Sequence, residues 1–193
     1  WKLSILNYVI DTSSLKSLVD YYLPFDKDGA LLDFISGKIT SHEIVVLDRV
    51  YNECKGIAKG IIIDSIGVLK QKESIIKTEN ILPTRRYLRM LESNFTIEVQ
   101  KKKLTDSQFE AYKANYLNKD ADSIIINYCE SFQYDNSLMP NVVSLITEES
   151  FKNNDNKPFK KLPFICKEMN IACNNLVYLL KDAYGLKLSQ YFH

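Results

Sequence analysis

The strongest indication of the fold is the sequence YVIDTSSL at residues 8–15. Tyr8, Val9 and Ile10 form a short apolar run of residue types that favour β-strands, and Asp11 ends the run abruptly. From Leu15 onward, apolar residues recur at helical spacing, at positions 15, 18, 19 and 22. The pattern therefore predicts a buried strand that runs directly into a helix, with polar residues at the junction.

The same arrangement recurs along the chain. Residues 43–47 read EIVVL and precede Asp48, which suits the N-cap of a helix. Residues 142–146 give a third strand, and residues 171–173 give a weaker fourth one before a helix over 176–180. Helical patterns cover about 60–72, 83–93, 105–116 and 122–132. Alternation of this kind predicts a three-layer α/β/α fold with a central parallel sheet of about four or five short strands.

Composition predicts one globular domain. The chain has 193 residues, of which 46% are hydrophobic and 25% are charged. This length allows one sizeable hydrophobic core and leaves little room for two independent domains. We therefore treat residues 1–193 as a single domain. Its net charge of +1 disfavours a simple electrostatic DNA binder, but it leaves room for an enzyme whose positive surface is local.

The cysteines indicate neither zinc nor a disulfide framework. No two of them have Cys-x-x-Cys spacing, and only His42 and His193 could join them as ligands. All four lie among apolar residues, where a reduced thiol behaves as a small hydrophobe; they are Cys54, Cys129, Cys166 and Cys173. Because no apolar run is long enough to cross a membrane and no signal-peptide pattern opens the chain, we expect a cytoplasmic protein without a membrane partner.

Acidic residues follow the predicted strands or begin the predicted helices. Asp11 ends the first strand, Glu148 and Glu149 follow the third, Asp122 opens a helix, and Glu53 lies in the helix after the second strand. In open parallel sheets, ligands bind outside the carboxyl ends of the strands. These acids could therefore converge on one point at that edge.

Carboxylates held close together repel one another and are driven toward protonation unless a cation neutralises them. A site built only from oxygen ligands suits Mg²⁺ or Mn²⁺ better than zinc. Such an ion lowers the pKa of a bound water and stabilises negative charge on a phosphate. The acids therefore indicate metal-assisted hydrolysis of a phosphodiester.

The same segments resemble those of PIN-domain nucleases. Residues 8–15 are similar to the opening strand of that family, whose terminal aspartate is a metal ligand. Residues 50–53 (VYNE) resemble its second acidic motif, residues 122–127 its third, and residues 143–149 (VSLITEE) its fourth. The tail, residues 162–174, resembles an uncharacterised bacterial PIN-like subfamily with an Ile-Pro-x-x-Cys helix before the last strand. The ordered set is more specific than any single motif.

The resemblance implies a metal-dependent endoribonuclease, a hydrolase such as the toxin of a toxin–antitoxin pair. The implied partners are an RNA substrate, an antitoxin protein and a second copy of the chain in a homodimer. By this resemblance Asp11, Asp122 and Glu149 would bind Mg²⁺ or Mn²⁺, and Glu53 would help to position the attacking water. Two departures stand out: the fourth motif has Glu148 and Glu149 where aspartate is usual, and residues 60–118 form a longer helical insertion than minimal PIN toxins carry.

Each candidate also has an ordinary structural interpretation. Asp11 could cap a helix, although Thr12, Ser13 and Ser14 could do so instead. Asp120 and Asp122 both suit the start of a helix, and the spacing favours Asp122 as the ligand with Asp120 in a capping or supporting role. Glu53 could be a solvated helix residue. Glu148 and Glu149 compete for one ligand position, with spacing in favour of Glu149. Ser13 and Thr147 could contact a phosphate, orient a carboxylate or cap a turn.

Other segments are expected to have structural roles. Two basic clusters are more typical of solvated surface than of RNA contacts; they are Arg85, Arg86 and Arg89, and Lys101 to Lys103. The tyrosines at 112, 116 and 128 are expected in the core or an interface rather than stacked on bases. Residues 151–161 are predicted to form a mobile loop, because residues 153–156 read NNDN.

Two other functions fit the pattern. A catalytically inactive PIN-like scaffold could bind RNA or a partner protein, which the glutamates in the fourth motif and the long insertion would explain. A Mg²⁺-dependent phosphatase with an aspartyl nucleophile could use a similar sheet, but such enzymes often have a second acid two residues after the first. Here that residue is Ser13, which disfavours a phosphatase.

Overall fold

The protein is a three-layer α/β/α structure, described here by a computed structural model for residues 6–133, 142–151 and 156–192. One parallel sheet of five strands lies at its centre, in the order β3-β2-β1-β4-β5. The strands are β1 Leu6–Ile10, β2 Ile44–Leu47, β3 Ile75–Ile76, β4 Val142–Ile146 and β5 Ala172–Asn174. The predicted fold class is confirmed, and each of the four predicted strands is present within two residues of its predicted ends.

The central strand is buried on both faces, which explains its continuous apolar sequence. Val9 of β1 pairs with Val45 of β2 on one side and with Leu145 of β4 on the other. All three side chains are at most 1% exposed. Burial on both faces is the usual situation of a strand in a parallel sheet covered by helices on each side.

Helices occupy most of the remaining chain. The α-helices of the described residues are α1 Thr12–Ser17, α2 Ala30–Thr40, α3 Asp48–Gly56, α4 Ile61–Ser65, α5 Arg85–Met90, α6 Glu98–Lys101, α7 Asp106–Lys119, α8 Ala121–Gln133 and α9 Leu162–Met169. Turns of π-helix extend three helical stretches, at Leu18–Tyr22, Leu91–Phe95 and Tyr178–Ala183. Turns of 3-10 helix lie at Leu23–Phe25, Lys27–Gly29, Ile57–Gly60, Gly67–Lys70, Lys72–Ser74 and Leu188–Gln190.

Local sequence explains where the helices begin and end. Thr105 caps α7 in a capping box with Gln108, in which each side chain bonds the backbone of the other residue. Pro163 lies in the first turn of α9, where its missing N–H costs nothing. Asn170 ends that helix in the left-handed conformation, with a φ of 58°, and so turns the chain into β5.

Residues 60–118, the predicted insertion, are helical but less regular than expected. The predicted helix over 60–72 is wrong as one continuous element, because α4 ends at Ser65, where Ile66 leaves the helical conformation with a φ of −108° and a ψ of 76°, and a 3-10 turn follows. The segment then forms 3-10 turns and the short edge strand β3, which the sequence did not predict. Tyr87 and Phe95 are fully buried, so the insertion is packed on the domain and does not project from it.

The predicted mobile loop is anchored in its second half. Residues 152–155, with most of the Asn-rich stretch, lie outside the described part of the chain. Beyond them the Ile97 N–H donates to the Pro158 carbonyl over 2.7 Å, and the Lys160 N–H donates to the Phe95 carbonyl over 2.8 Å. Phe159 is 3% exposed, with its ring 4.5 Å from that of Tyr116. The free loop predicted here is wrong for residues 158–160.

Aromatic packing around Phe159 confirms the structural interpretation of the tyrosines. Tyr116 and Tyr128 are buried, and Tyr112 packs its half-buried ring on Phe159 at 5.7 Å. Phe109 completes the group at 5.9 Å. Aromatic pairs at such separations add stability beyond the area that they bury.

The cysteines are free thiols, as expected. Their apolar neighbours predict that all four are buried. Cys54, Cys129 and Cys166 are buried, whereas Cys173 in β5 is only half-buried. Among the helices that the structure describes, none is both long and apolar enough to cross a bilayer.

Candidate active site

The strand order creates a crevice between β1 and β4. From β1 the chain passes to β2 and β3 on one side and later to β4 and β5 on the other, so the direction of winding reverses between β1 and β4. Crevices at the carboxyl ends of such strands are the usual ligand sites of open α/β sheets. A cavity of about 240 Å³ lies there. Its charged lining residues are Asp11, Glu53, Asp120, Asp122, Glu149, Lys16 and Lys157.

Asp11 is buried at the end of β1 and caps α1. Its carboxylate accepts from the Thr12 N–H over 2.6 Å and from the Ser13 N–H over 3.3 Å. Of the residues that could cap α1, the structure shows Asp11 itself as the N-cap. The described residues donate four hydrogen bonds to this carboxylate. Three of them fall on Oδ2, whereas Oδ1 accepts only the one from the Thr12 N–H. Oδ1 therefore retains a lone pair for a further ligand.

Ser13 and Thr147 orient the Asp11 carboxylate. The Ser13 hydroxyl donates to Oδ2 of Asp11 over 2.7 Å, and the Thr147 hydroxyl donates to the same oxygen over 3.0 Å. The two hydroxyl oxygens are 3.2 Å apart. Of the roles considered for these residues, the structure shows carboxylate orientation and also turn capping, because the Ser13 hydroxyl accepts from the Glu148 N–H over 3.0 Å and the Thr147 hydroxyl from the Glu149 N–H over 3.2 Å. These bonds tie the ends of β1 and β4 together.

Glu53 reaches the cavity from α3. Its carboxylate accepts from the Thr12 hydroxyl over 2.7 Å and from the Ala121 N–H, the first of α8, over 3.4 Å. Although the residue as a whole is exposed, its carboxyl group lines the acidic cavity. Glu53 is therefore a fixed member of the site and not a solvated helix residue.

Asp120 and Asp122 have different positions and contacts at the start of α8. The Asp120 carboxylate accepts from the Asp122 N–H over 3.0 Å, which confirms the capping role expected for Asp120. Within the described part of the chain, the carboxyl group of Asp122 accepts no hydrogen bond. This half-buried carboxyl group thus lines the cavity without a donor among the described residues.

The structure separates Glu149 from Glu148. Glu149 lines the acidic cavity and accepts from the Leu162 N–H, the first of α9, over 3.2 Å. Glu148 is exposed and accepts from the Leu176 N–H over 2.7 Å, away from the cavity. Of the two alternatives left open by the sequence, only Glu149 is placed with the other acids.

Mutual repulsion and burial raise the pKa values of the clustered acids. Burial is the largest cause for Asp122, whose pKa is raised well above its ordinary value. Neighbouring acids add to that shift and Lys157 opposes it; the acids are Asp11, Asp120 and Glu149. Burial also raises the pKa values of Glu53, Asp120 and Glu149, and the charge of Asp11 contributes in each case.

Two lysines border the acids, and the sequence singled out neither of them. Lys16 forms an ion pair with Asp20, one helical turn further along the chain. Lys157 faces the acids, and the charges of Asp122, Asp120 and Glu149 raise its pKa although desolvation lowers it. Residue 157 follows the Asn-rich stretch, where sequence reads as loop. Only the anchoring at Pro158 and Phe159 shows that this lysine belongs to the site.

The two predicted basic clusters are not part of this cavity. Arg85 and Arg89 are exposed, and Arg86 lies 3.7 Å from the fully buried carboxylate of Glu130. Lys102 and Lys103 are also exposed. These placements favour the solvated-surface interpretation.

The oxygen ligands of the cavity are of the type that binds a hard cation, but their present spacing is too wide to coordinate one. The side chains lining the cavity that could coordinate a cation are carboxylates and hydroxyls, and such ligands suit Mg²⁺ or Mn²⁺. In the described ranges, no three acids, histidines or cysteines already lie at coordinating distance. The donor-free carboxyl of Asp122 and the excess of acids over lysines are the two features that a cation would relieve.

Comparison with known proteins places the chain in one family. No curated protein and no solved structure matches it. Residues 8–185 match the family described as a domain of unknown function, DUF4411, and this span includes every candidate site residue. The chain therefore belongs to the DUF4411 family.

Proposed function

We propose that the protein is a PIN-like endoribonuclease that uses Mg²⁺ or Mn²⁺ to hydrolyse RNA phosphodiester bonds. One observation carries the proposal: five carboxylates from four segments of the chain line a single cavity where the winding of the sheet reverses. The raised pKa values of Asp122, Asp120, Glu53 and Glu149 add to it, since perturbed acids cluster at functional sites.

Each residue has a part in this mechanism. Asp11, Asp122 and Glu149 would hold the ion, and Ser13 and Thr147 keep the Asp11 carboxylate in place. An ion bound there would lower the pKa of a water molecule and stabilise charge on the phosphate.

Two further residues act beside the ion. Glu53, fixed by Thr12, would accept a proton from the attacking water and so orient it for in-line attack. Lys157 would place its positive charge beside the phosphate oxygens, where negative charge develops.

The choice of RNA follows from the resemblance to PIN-domain nucleases and not from the cavity itself. The resemblance also motivates three narrower expectations: an antitoxin partner, a homodimer and a cytoplasmic location. All three stay predictions.

A non-catalytic scaffold is the second candidate, and one observation favours it. Asp11, Asp120 and Glu149 each cap a helix, so their presence has a purely structural explanation. In that case the repulsion would be tolerated for the sake of three helix starts. Asp122 accepts no hydrogen bond from a described helix start, and a charge in the first turn of α8 adds only up to about 1 kcal/mol, which is why we rank the enzyme first.

Cleavage of a labelled single-stranded RNA in Mn²⁺, set against the same reaction in chelator, tests the enzyme. We expect metal-dependent cleavage that Asp11→Asn reduces by at least about a hundredfold, because one ligand charge is lost while the shape is kept. Glu148→Gln, outside the cavity, is the matched control and should cleave normally. Equal cleavage by wild type and Asp11→Asn would contradict the mechanism, and calorimetric titration without Mn²⁺ binding would favour the scaffold.

A further inference from the structure

We propose that a second cavity, on the other side of α3, binds one nucleotide of a single-stranded RNA near the cleavage site. This inference rests on the proposed function for its choice of ligand. Its geometry is independent of the acids. The cavity has a volume of about 360 Å³, which is in the range of small-ligand sites.

The lining of this second cavity combines an apolar floor with a basic rim. Leu69, Ile75 and the half-buried ring of Tyr51 provide apolar surface. Four lysines surround it: Lys55, Lys70, Lys72 and Lys77. Flat apolar surface beside positive charge is what a nucleotide requires, since the base stacks and the phosphate needs cations.

Positive charge exceeds negative charge in the cavity, with four lysines against two acids. Two acids also line it, Asp48 and Glu79, but the Asp48 carboxylate already accepts hydrogen bonds from the hydroxyl and N–H of Thr78. Lys70 pairs with Asp64 at 2.8 Å. Lys72 and Lys77 are exposed and form no ion pair with any residue in the described ranges. These two lysines are therefore the ones best placed to hold phosphates.

Tyr51 supplies the stacking surface. Its ring faces the Lys55 ammonium, with the nitrogen 4.5 Å from the ring centroid. A cation over an aromatic ring is a favourable contact, so the ammonium occupies one face of the ring. A base that stacks on that face replaces the ammonium, and the flexible lysine side chain then moves to the phosphate of that nucleotide. Every base has a π-face, so such a platform accepts RNA of any sequence.

Helix α3 connects the two cavities. Tyr51 and Lys55 are four residues apart and share one face of the helix, whereas Glu53 lies on the opposite face and lines the acidic cavity. The cavities are thus separated by about one helix diameter, roughly 10 Å. That span matches about three stacked nucleotides at 3.4 Å each. A strand with its scissile phosphate at the acids would place the nucleotide about three positions away over Tyr51.

The test measures binding without cleavage. The probe is a fluorescein-labelled 12-residue oligouridine, titrated with full-length protein in EDTA and followed by fluorescence anisotropy at several salt concentrations. We expect the double variant Lys72→Gln/Lys77→Gln to bind at least fivefold more weakly. The slope of log affinity against log salt should fall by about 1.4, because each phosphate contact contributes about 0.7 for single strands. Tyr51→Leu should weaken binding by about tenfold with an unchanged slope.

The matched control is Lys102→Gln/Lys103→Gln, which removes two exposed lysines elsewhere on the protein. Equal losses in both double variants would overturn the subsite, because general charge would then explain the binding. Cross-linking of 4-thiouridine to Tyr51, mapped by mass spectrometry, would support it, and cross-links only at other residues would overturn it. Tighter binding of a duplex than of the single strand would also overturn it.

Failure of this inference differs from failure of the proposed function. If the lysine and tyrosine variants bind normally while metal-dependent cleavage is present, the nuclease stands and the subsite is wrong. If they bind weakly as expected and no cleavage occurs in Mn²⁺, the subsite stands and the nuclease is wrong.

Discussion

Replacing Asp122 with Asn should stabilise the metal-free protein, although most substitutions in a folded domain destabilise it. The carboxyl group of Asp122 faces three acids and one lysine, and no described residue donates to it. Asn has the same shape and carries no charge. The change therefore removes repulsion without leaving a void.

The magnitude follows from the size of the cavity. A sphere of 240 Å³ is about 8 Å across, so charges on opposite walls are separated by at most about that distance. At 8 Å and an effective dielectric constant of about 20, one pair of unit charges interacts by about 2 kcal/mol. Three repulsive pairs and one attractive pair give a net repulsion of about 4 kcal/mol on the charged Asp122. Because Asp122 can take up a proton, the free energy that its charge costs at neutral pH is limited to a similar value.

Loss of the charge at the helix start costs up to about 1 kcal/mol, and solvent near this half-buried group reduces the gain further. We therefore expect a net stabilisation of about 2 kcal/mol. For a chain of this length that corresponds to a rise in Tm of about 4 to 8 °C.

The dependence on pH has a definite sign. Because the folded-state pKa of Asp122 is raised, the folded protein binds more protons than the unfolded chain. This contribution to stability is fully present below the unfolded pKa, about 3.9, and is lost as the pH rises through the raised folded-state pKa. Wild type in chelator should therefore be more stable at pH 5 than at pH 7.5, and Asp122→Asn should show a smaller difference.

The assay is thermal unfolding followed by circular dichroism, in EDTA at low ionic strength and at both pH values. Asp106→Asn is the matched control, since Asp106 also lies in the first turn of a helix but is exposed. It should lower the Tm slightly through loss of the helix-dipole contact. If Asp122→Asn is no more stable than wild type at pH 7.5, the acids do not repel as argued.

Three further outcomes follow from the structure. Glu149→Gln should weaken Mn²⁺ binding at least about tenfold in calorimetry, while Glu148→Gln should leave it unchanged; equal effects would contradict the placement of the two glutamates. Iodoacetamide at pH 8 should modify Cys173 first in the native protein, because a hydrogen bond with Cys166 lowers the pKa of Cys173. The same bond, together with burial, raises the pKa of Cys166, and burial raises the pKa values of Cys54 and Cys129; peptide mapping that finds another cysteine modified first would refute this. Phe159→Ala should cost about 3 to 5 kcal/mol in urea denaturation, against less than about 0.5 kcal/mol for the exposed Phe151→Ala, and similar values for both would show that Phe159 does not anchor its segment.

The sequence predicted the parts of the fold that depend on strong apolar patterns. The strands around Val9, Val45 and Leu145 are buried on both faces, so their sequences are continuous apolar runs bounded by polar residues. The edge strand β3 has two residues, Ile75 and Ile76, and both are only partly buried. Too short to show a period, it was invisible to the same reasoning.

The acids of the site were predictable, but their local roles were not. Their positions after strands and at helix starts predicted that they would meet at one edge of the sheet. Side-chain geometry determines which carboxylate oxygen of each acid accepts from the start of a helix. It also determines which of Glu148 and Glu149 lies in the cavity. Lys157 was missed because its place in the site depends on the pairing of residues 95–97 with residues 158–160, which are distant in sequence.

Helix capping by most of the acids changes how sequence variation in this family should be interpreted. A capping aspartate or glutamate is retained by selection for folding alone, so Asp11, Asp120 and Glu149 would persist even in relatives that had lost an ion. Asp122 has no such duty within the described contacts. A relative that has a neutral residue at position 122 and keeps the capping acids is the one that we expect to have lost the activity while retaining the fold.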